Sequence, residues 1–185
     1  MILAPHAYGL IAKAPVFVPV QETLGPGTYS FTPAARQPGA SQVRIRVLGG
    51  GGWYGNGSPP SRSGGGGGGG LADRTVVFAP GDTAVTMNLF VDAVPSPYSA
   101  GVASTVTAAF NTAINMTGNG GNPGSSNIRG TGGSASGGTT NTPGDDGEDA
   151  TLESPDWFAG VGGAPNGGYQ VSGPPGAGYI ILDWS

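Results

Sequence analysis

The chain of 185 residues has no cysteine, one histidine and few charges. The absence of cysteine excludes a disulfide staple, a thiolate metal site and a cysteine nucleophile. The one histidine, His6, falls near the N-terminus in a stretch that reads as an extended arm, so Ser-His-Asp chemistry has no seat. Charged residues make up 10 % of the chain and the formal net charge is −4, which argues against nucleic-acid binding through phosphates. No apolar run approaches the roughly 18 residues of a membrane span. The apolar opening stretch is broken by Pro5, Pro15 and Pro19 and carries Lys13 inside it, unlike a signal peptide. Glycine and proline interrupt nearly every stretch long enough for a helix, which excludes a helical bundle.

Glycine and proline are what the chain has in excess, 38 and 17 residues. No sustained Gly-X-Y register occurs, so this is not collagen. Hydrophobic residues still amount to 37 % and cluster into short runs, which disfavours simple disorder. The length suits one domain with an arm. Residues 1–23 are expected to be that arm, extended and punctuated by proline, and 24–185 the domain.

The runs alternate as strands do. Tyr29 and Phe31 are interleaved with Thr28, Ser30 and Thr32. In QVRIRVL, residues 42–48, Val43, Ile45 and Val47 share a face opposite Arg44 and Arg46. Two arginines on one strand face point to solvent or to carboxylate partners. LADRTVVFA (71–79) and TAVTMNLFVDA (83–93) flank Pro80-Gly81-Asp82 and read as a hairpin, with Gly81 supplying positive φ. Residues 104–116 carry Thr and Val for a strand but Ala108, Ala109 and Ala113 for a helix; two short strands around a turn near Asn111 are favoured. YIILDW (179–184) reads as a closing strand that needs a sheet to enter, beside the early strands.

Residues 49–70 hold 13 glycines, including seven in a row at 64–70, and read as an excursion that leaves a sheet and returns. Such a chain can be ordered by close packing of polyproline-II-like strands, as loops on a β core, or against neighbouring subunits. Pro123, Pro143, Pro155 and Pro165 interrupt the later glycine-rich segments, which favours loops on a β core. The expected fold is therefore all-β: a small antiparallel β-sandwich with long glycine-rich loops and an extended N-terminal arm.

The order of a PGTYSFTP strand, a VRIRVLGGGG strand, a polyglycine excursion, GGGLADRTVVFAPGDTAVTMNL and a terminal GAGYIILDW strand resembles the glycine-rich domain of tailed-bacteriophage tail proteins. That domain occurs in minor tail proteins and receptor-binding fibre tips. The resemblance covers about residues 24–185, and Asp183-Trp184 matches the acidic-aromatic ending of such domains. The acidic stretch 145–156 is not part of that pattern. The resemblance implies a virion structural protein at the tail tip or fibre that contributes to host attachment. It implies docking to other virion proteins through residues 1–23, a glycan or protein receptor on the host cell surface, and a homo-oligomer, with a trimer suggested by analogy to fibres. A capsid decoration or head-fibre protein, or a purely architectural tail subunit, are the alternatives. An ice-binding polyglycine protein is disfavoured, because regular Gly-X-X triplets and disulfides are absent.

No catalytic residues and no cofactor are expected. Residues 64–70 lack the Lys-Ser/Thr of a phosphate loop. The carboxylates Asp145, Asp146, Glu148 and Asp149 could offer hard oxygen ligands to a cation, but without EF-hand spacing, and a solvated acidic loop is the plainer reading. The candidate receptor contacts are the loop aromatics Trp53, Tyr54, Tyr98, Trp157, Phe158 and Tyr169, since exposed aromatics suit sugar faces and protein hot spots. Each could instead plug a core poor in large side chains.

Overall fold

The computed structural model describes residues 17–53, 64–125, 128–147, 162–163, 169–170 and 176–185. Two antiparallel five-stranded sheets form a β-sandwich. The first contains β1 (Val20–Leu24), β3 (Gln42–Leu48), β4 (Leu71–Val77), β9 (Thr140–Thr142) and β12 (Tyr179–Trp184) in the order β1-β12-β3-β4-β9. The second contains β2 (Gly27–Phe31), β5 (Met87–Val91), β6 (Ser104–Ala108), β7 (Ile114–Gly118) and β8 (Ala135–Ser136) in the order β2-β5-β6-β7-β8. A separate two-stranded ribbon pairs β10 (Gly162–Gly163) with β11 (Tyr169–Gln170).

Period-two patterning decides the faces. Val43, Ile45 and Val47 of β3, with Ile180, Leu182 and Trp184 of β12, meet Met87, Leu89 and Val91 of β5 and Val106, Ile114 and Met116 of β6 and β7 in one buried core. The closing strand enters between β1 and β3, with Ile180 opposite Val47 and Leu182 opposite Ile45. It leaves Trp184 buried among Phe31, Phe78 and the rest of the aromatic end of the core. Asp183, one residue earlier, points outward.

The arginines of β3 find carboxylates across the strands. Arg44 Nε lies 3.0 Å from an oxygen of Asp73 on β4, and Arg46 lies 2.8 Å from Asp183 on β12. The hydrogen bonds to Asp73, and then its charge, hold the Arg44 guanidinium above its ordinary range, so it stays cationic at any working pH. Exposed pairs of this kind contribute about 0–1 kcal/mol each, so the core and the backbone ladders, rather than these charges, hold the sheet.

Two expectations are corrected here. The sheet begins at Val20, inside the expected arm, because Val20, Glu22 and Leu24 pair with Trp184, Leu182 and Ile180 and continue the alternation. The segments around Pro80-Gly81-Asp82 are not a hairpin: β4 lies in one sheet and β5 in the other. The connection arches over the end of the sandwich through a short 3-10 turn, Asp82–Ala84, with Gly81 at φ 95°. The buried Asp82 carboxylate fixes the arch. One oxygen accepts the Ala79 N–H at 3.0 Å and the other accepts the Asn111 N–H at 2.7 Å, from the β6–β7 turn. Residues from the two sides of the PGD sequence therefore face each other across the core instead of lying side by side.

The described glycine-rich segments are not irregular loops. At one end of the sandwich the strands run on as extended segments without strand pairing: 49–53 after β3, 64–70 before β4, 99–102 before β6, 119–125 after β7, 128–134 before β8 and 143–147 after β9. Residues 64–70 are wholly buried at their centre. Their partners recur every three residues, the period of the polyproline-II helix. Gly64, Gly67 and Gly70 donate to the carbonyls of Ser125, Asn122 and Asn119 at 3.0, 2.9 and 2.9 Å. The carbonyls of Gly65 and Gly68 accept from Gly130 and Gly133 at 2.7 and 2.8 Å. Gly66 and Gly69 rest against the carbonyls of Gly52 and Gly49, where an added Cβ would stand 2.0 Å from each oxygen.

The Gly-x-x-Gly spacing is present after all, as Gly118, Gly121 and Gly124, and as Gly130 and Gly133. Pro123 and Pro143 do not break the array. A polyproline-II helix makes no internal hydrogen bond that needs their missing N–H, and their fixed φ suits it.

All of these segments leave the same ends of the strands, so the molecule has two poles. The glycine pole carries the stack and the turns beyond it. The opposite pole carries the β4–β5 arch, the short helix α1 (Pro33–Arg36), Ser185 and the entry of the chain at Phe17, which lies against the turn at Gly39.

Replacing Gly66 or Gly69 by Ala puts a methyl on a backbone oxygen that cannot swing away. Each substitution is expected to lose about 3–5 kcal/mol in chemical denaturation. Gly25→Ala, with nothing within 4 Å of its Cβ position, is expected to change stability by less than about 0.5 kcal/mol. Asp82→Ala leaves two N–H groups without their acceptor and is expected to lose about 2 kcal/mol, seen as a fall of about 4–8 °C in Tm.

Candidate binding site at the glycine pole

Trp53 ends the segment that prolongs β3, and three hydrogen bonds fix it. Its N–H donates to the Ser99 carbonyl at 3.1 Å, its carbonyl accepts from Gly124 at 2.9 Å, and its indole Nε1–H donates to the Pro95 carbonyl at 2.8 Å. A tryptophan bound in this way ties the 94–99 loop to two segments of the stack. Its ring lies 6.5 Å from that of Tyr98, inclined by 55°.

Tyr98 sits at the tip of a tight turn in which Ser99 donates to the Ser96 carbonyl through both N–H and Oγ, at 3.2 and 2.6 Å. Its φ is 62°, the one left-handed non-glycine residue among those described. A side chain held in that region costs about 1–2 kcal/mol. The surrounding hydrogen bonds keep it there, and the residue is 49 % exposed. Val94, in the same loop, is 48 % exposed beside a buried Pro95. The next turn along this pole, at Ser125 and Ile128, is closed by mutual backbone hydrogen bonds and exposes Ile128. The pole thus offers an aromatic ring and isolated apolar side chains on a hydrogen-bonded backbone. That surface suits stacking against a sugar face or an apolar contact with a protein.

Of the six aromatic candidates, the structure brings Trp53 and Tyr98 together. Tyr54, Trp157 and Phe158 lie outside the described residues. Tyr169 stands in β11 opposite Gly163, and its backbone alone is described. Among the acidic candidates, Asp145 and Asp146 belong to the outermost segment of the stack; Glu148 and Asp149 lie outside the described residues. The Asp145 carbonyl accepts from Gly68 at 2.7 Å. Asp146 Oδ1 accepts the Gly132 N–H at 2.9 Å, and its other oxygen lies 3.7 Å from Arg129. Asp145 through its backbone carbonyl and Asp146 through its carboxylate thus brace the stack. Among the described residues no group of three or more His, Cys, Asp or Glu comes together, and no helix is long and apolar enough to cross a membrane.

Sequence reasoning missed the side-chain rungs that stiffen this pole. Asn119 donates to Ser134 Oγ at 2.9 Å and Asn122 to Thr131 Oγ1 at 2.7 Å, beside backbone bonds between the same residues at 2.8 and 2.9 Å. The available signal was the spacing of three that Asn119 and Asn122 share with Gly118, Gly121 and Gly124.

No protein-family model matches this chain, and a search of curated proteins finds no match.

Tyr98→Gly and Tyr98→Ala remove the same ring, but glycine alone takes a positive φ without strain. The glycine variant is expected to be the more stable of the two by about 1 kcal/mol, or about 2–4 °C in Tm.

Proposed function

We propose that this chain is a structural protein of a tailed-phage virion, at the tail tip or fibre, which contributes to host attachment by binding rather than catalysis. The observation that carries this reading is the separation of the two poles. Phe17, the first described residue, lies at the pole opposite the stack, beside the turn at Gly39 and close to the start of β1. The Trp53–Tyr98 pair and the turns lie at the other. An arm at one pole can join the particle while the other pole faces outward. The order of strand, polyglycine excursion, strand and closing strand, on which the resemblance to phage glycine-rich domains rests, supports the same role.

A rigid presentation lowers the ordering cost of binding. Many copies on one particle then convert weak contacts into avidity. The receptor would be a glycan or a protein of the host surface, met by the exposed ring of Tyr98.

The test uses fluorescently labelled full-length protein on a panel of candidate host bacteria, beside a chain lacking residues 1–16 and the Tyr98→Gly variant. The full chain and the truncated chain are expected to bind the same strains. Tyr98→Gly is expected to bind about tenfold or more weakly, a loss of about 1.4 kcal/mol. If no strain is bound and residues 1–16 are needed for incorporation into particles, the protein is a decoration or architectural subunit and the attachment role is wrong.

A further inference from the structure

Arg74 breaks the alternation of β4. Ala72 and Val76, two places away on either side, are buried in the core, and its partner across the ladder is the buried Ile45. Period two therefore turns the Arg74 side chain into the gap between the sheets, where β7 lies against β4. The other described arginines, Arg36, Arg44, Arg46 and Arg129, each have a carboxylate. Arg74 has neither an ion pair nor a hydrogen bond among the described residues. It is only half-buried, so its long stem carries the charge sideways out of the gap, past the edge of the sheet.

That edge is open. β9 covers β4 only at Leu71, Ala72 and Asp73, and β8 covers β7 only at Thr117 and Gly118. The Phe78 N–H donates to the Ser41 carbonyl, on the side of β3. By the alternation of an antiparallel ladder, the N–H and C=O of Thr75 and Val77 then face away from β3, where no described strand lies beside them. They belong to TVVFA, residues 75–79, an uncharged run of β-branched and aromatic residues in which Val77 is 69 % exposed. An unpaired edge of this composition invites a strand from another chain. Arg74 stands immediately before the run and Pro80 immediately after it.

We infer that Arg74 guards this edge against pairing with a second copy of the chain. A strand laid along Thr75 and Val77 closes the route by which the guanidinium reaches water. The charge is then left in the gap without an anion: its inward neighbours are apolar, and Asp73, which points outward, is held by Arg44. An unpaired charge in an apolar interior is strongly unfavourable. Two copies joined through the same edge each carry that penalty. The far edge of the sheet has an inward charge as well, Glu22 of β1, held by Arg36 and Gln37 at 2.9 and 2.7 Å. The central strands β3 and β12 turn only apolar residues inward. Inward charge thus falls where an edge is open. The inference does not depend on what the glycine pole binds.

The test compares the full-length chain with Arg74→Val, Arg74→Lys and the double variant Arg74→Val/Val77→Lys. Sedimentation velocity over a concentration series reads association, and hydrogen-exchange mass spectrometry reads protection of peptides covering 71–79. Arg74→Val is expected to associate at about tenfold lower concentration than wild type, with 71–79 gaining protection as it does so. Its Tm at low concentration is expected to equal or exceed that of wild type, because valine suits an inward strand position. Arg74→Lys keeps a charge on a long stem and is expected to behave as wild type. Val77→Lys is expected to return the double variant to wild-type behaviour, because an exposed edge charge also opposes pairing, whereas it would not rescue a misfolded chain. The assignment is overturned if Arg74→Val associates no more than wild type, melts lower, associates without protecting 71–79 or is not rescued, or if Arg74→Lys associates as Arg74→Val does.

Discussion

The missing β-carbon is the constraint on which the rest of this molecule depends. In an ordinary sandwich, side chains hold two sheets about 10 Å apart, and backbone hydrogen bonds run only within each sheet. Where strands continue into glycine, nothing separates the layers. Residues 64–70 then donate and accept within and across the layers, towards 49–53, 119–125, 128–134 and 145. The approach is so close that a Cβ at most of these glycines would stand about 2 Å from a carbonyl oxygen. A glycine run that would be a flexible tether in isolation is, in this setting, the most enclosed part of the backbone.

Such a stack could not stand alone. Glycine loses more backbone freedom on ordering than any other residue, and it buries no side chain in return. Each backbone hydrogen bond adds only about 1 kcal/mol net. The β-sandwich supplies what is missing. Its side-chain core provides the hydrophobic free energy, and its strand ends deliver each segment at the register where the threefold pattern of donors and acceptors can engage. The Asp82 arch and the aromatic end around Trp184 lock the opposite pole. Trp53, with three hydrogen bonds, ties the stack to the loop that carries Tyr98. Stability is therefore generated at one pole and rigidity is delivered at the other, where loops are presented.

The surfaces follow the same economy. On the sheet that holds β3 the outward charges Arg44, Arg46, Asp73 and Asp183 are neutralised in pairs, the outward strand positions of the other sheet are uncharged, and the carboxylate of Asp146 braces the stack. Each surface thus has a physical character of its own, although the chain is only 10 % charged.

The sequence by itself determined the strands and their faces. Alternation in 27–31, 42–48, 71–77, 87–91 and 179–184 shows which side chains enter the core, because a strand has period two whatever it pairs with. It also brought β3 and β4 together across the glycine excursion and sent the closing strand to the early ones. The tertiary structure alone decided which sheet each strand joins. Whether the chain turns back beside itself at Pro80-Gly81-Asp82 or arches over the core depends on a distant partner, the Asn111 N–H that Asp82 accepts. It alone also decided that the glycine segments are an ordered array. Without side chains, glycine carries no pattern of burial to read; its conformation is set by the neighbours it is packed against, and those come from distant places along the chain. The Trp53–Tyr98 pair belongs to the same class, since 45 residues separate two rings that only the stack brings within 6.5 Å.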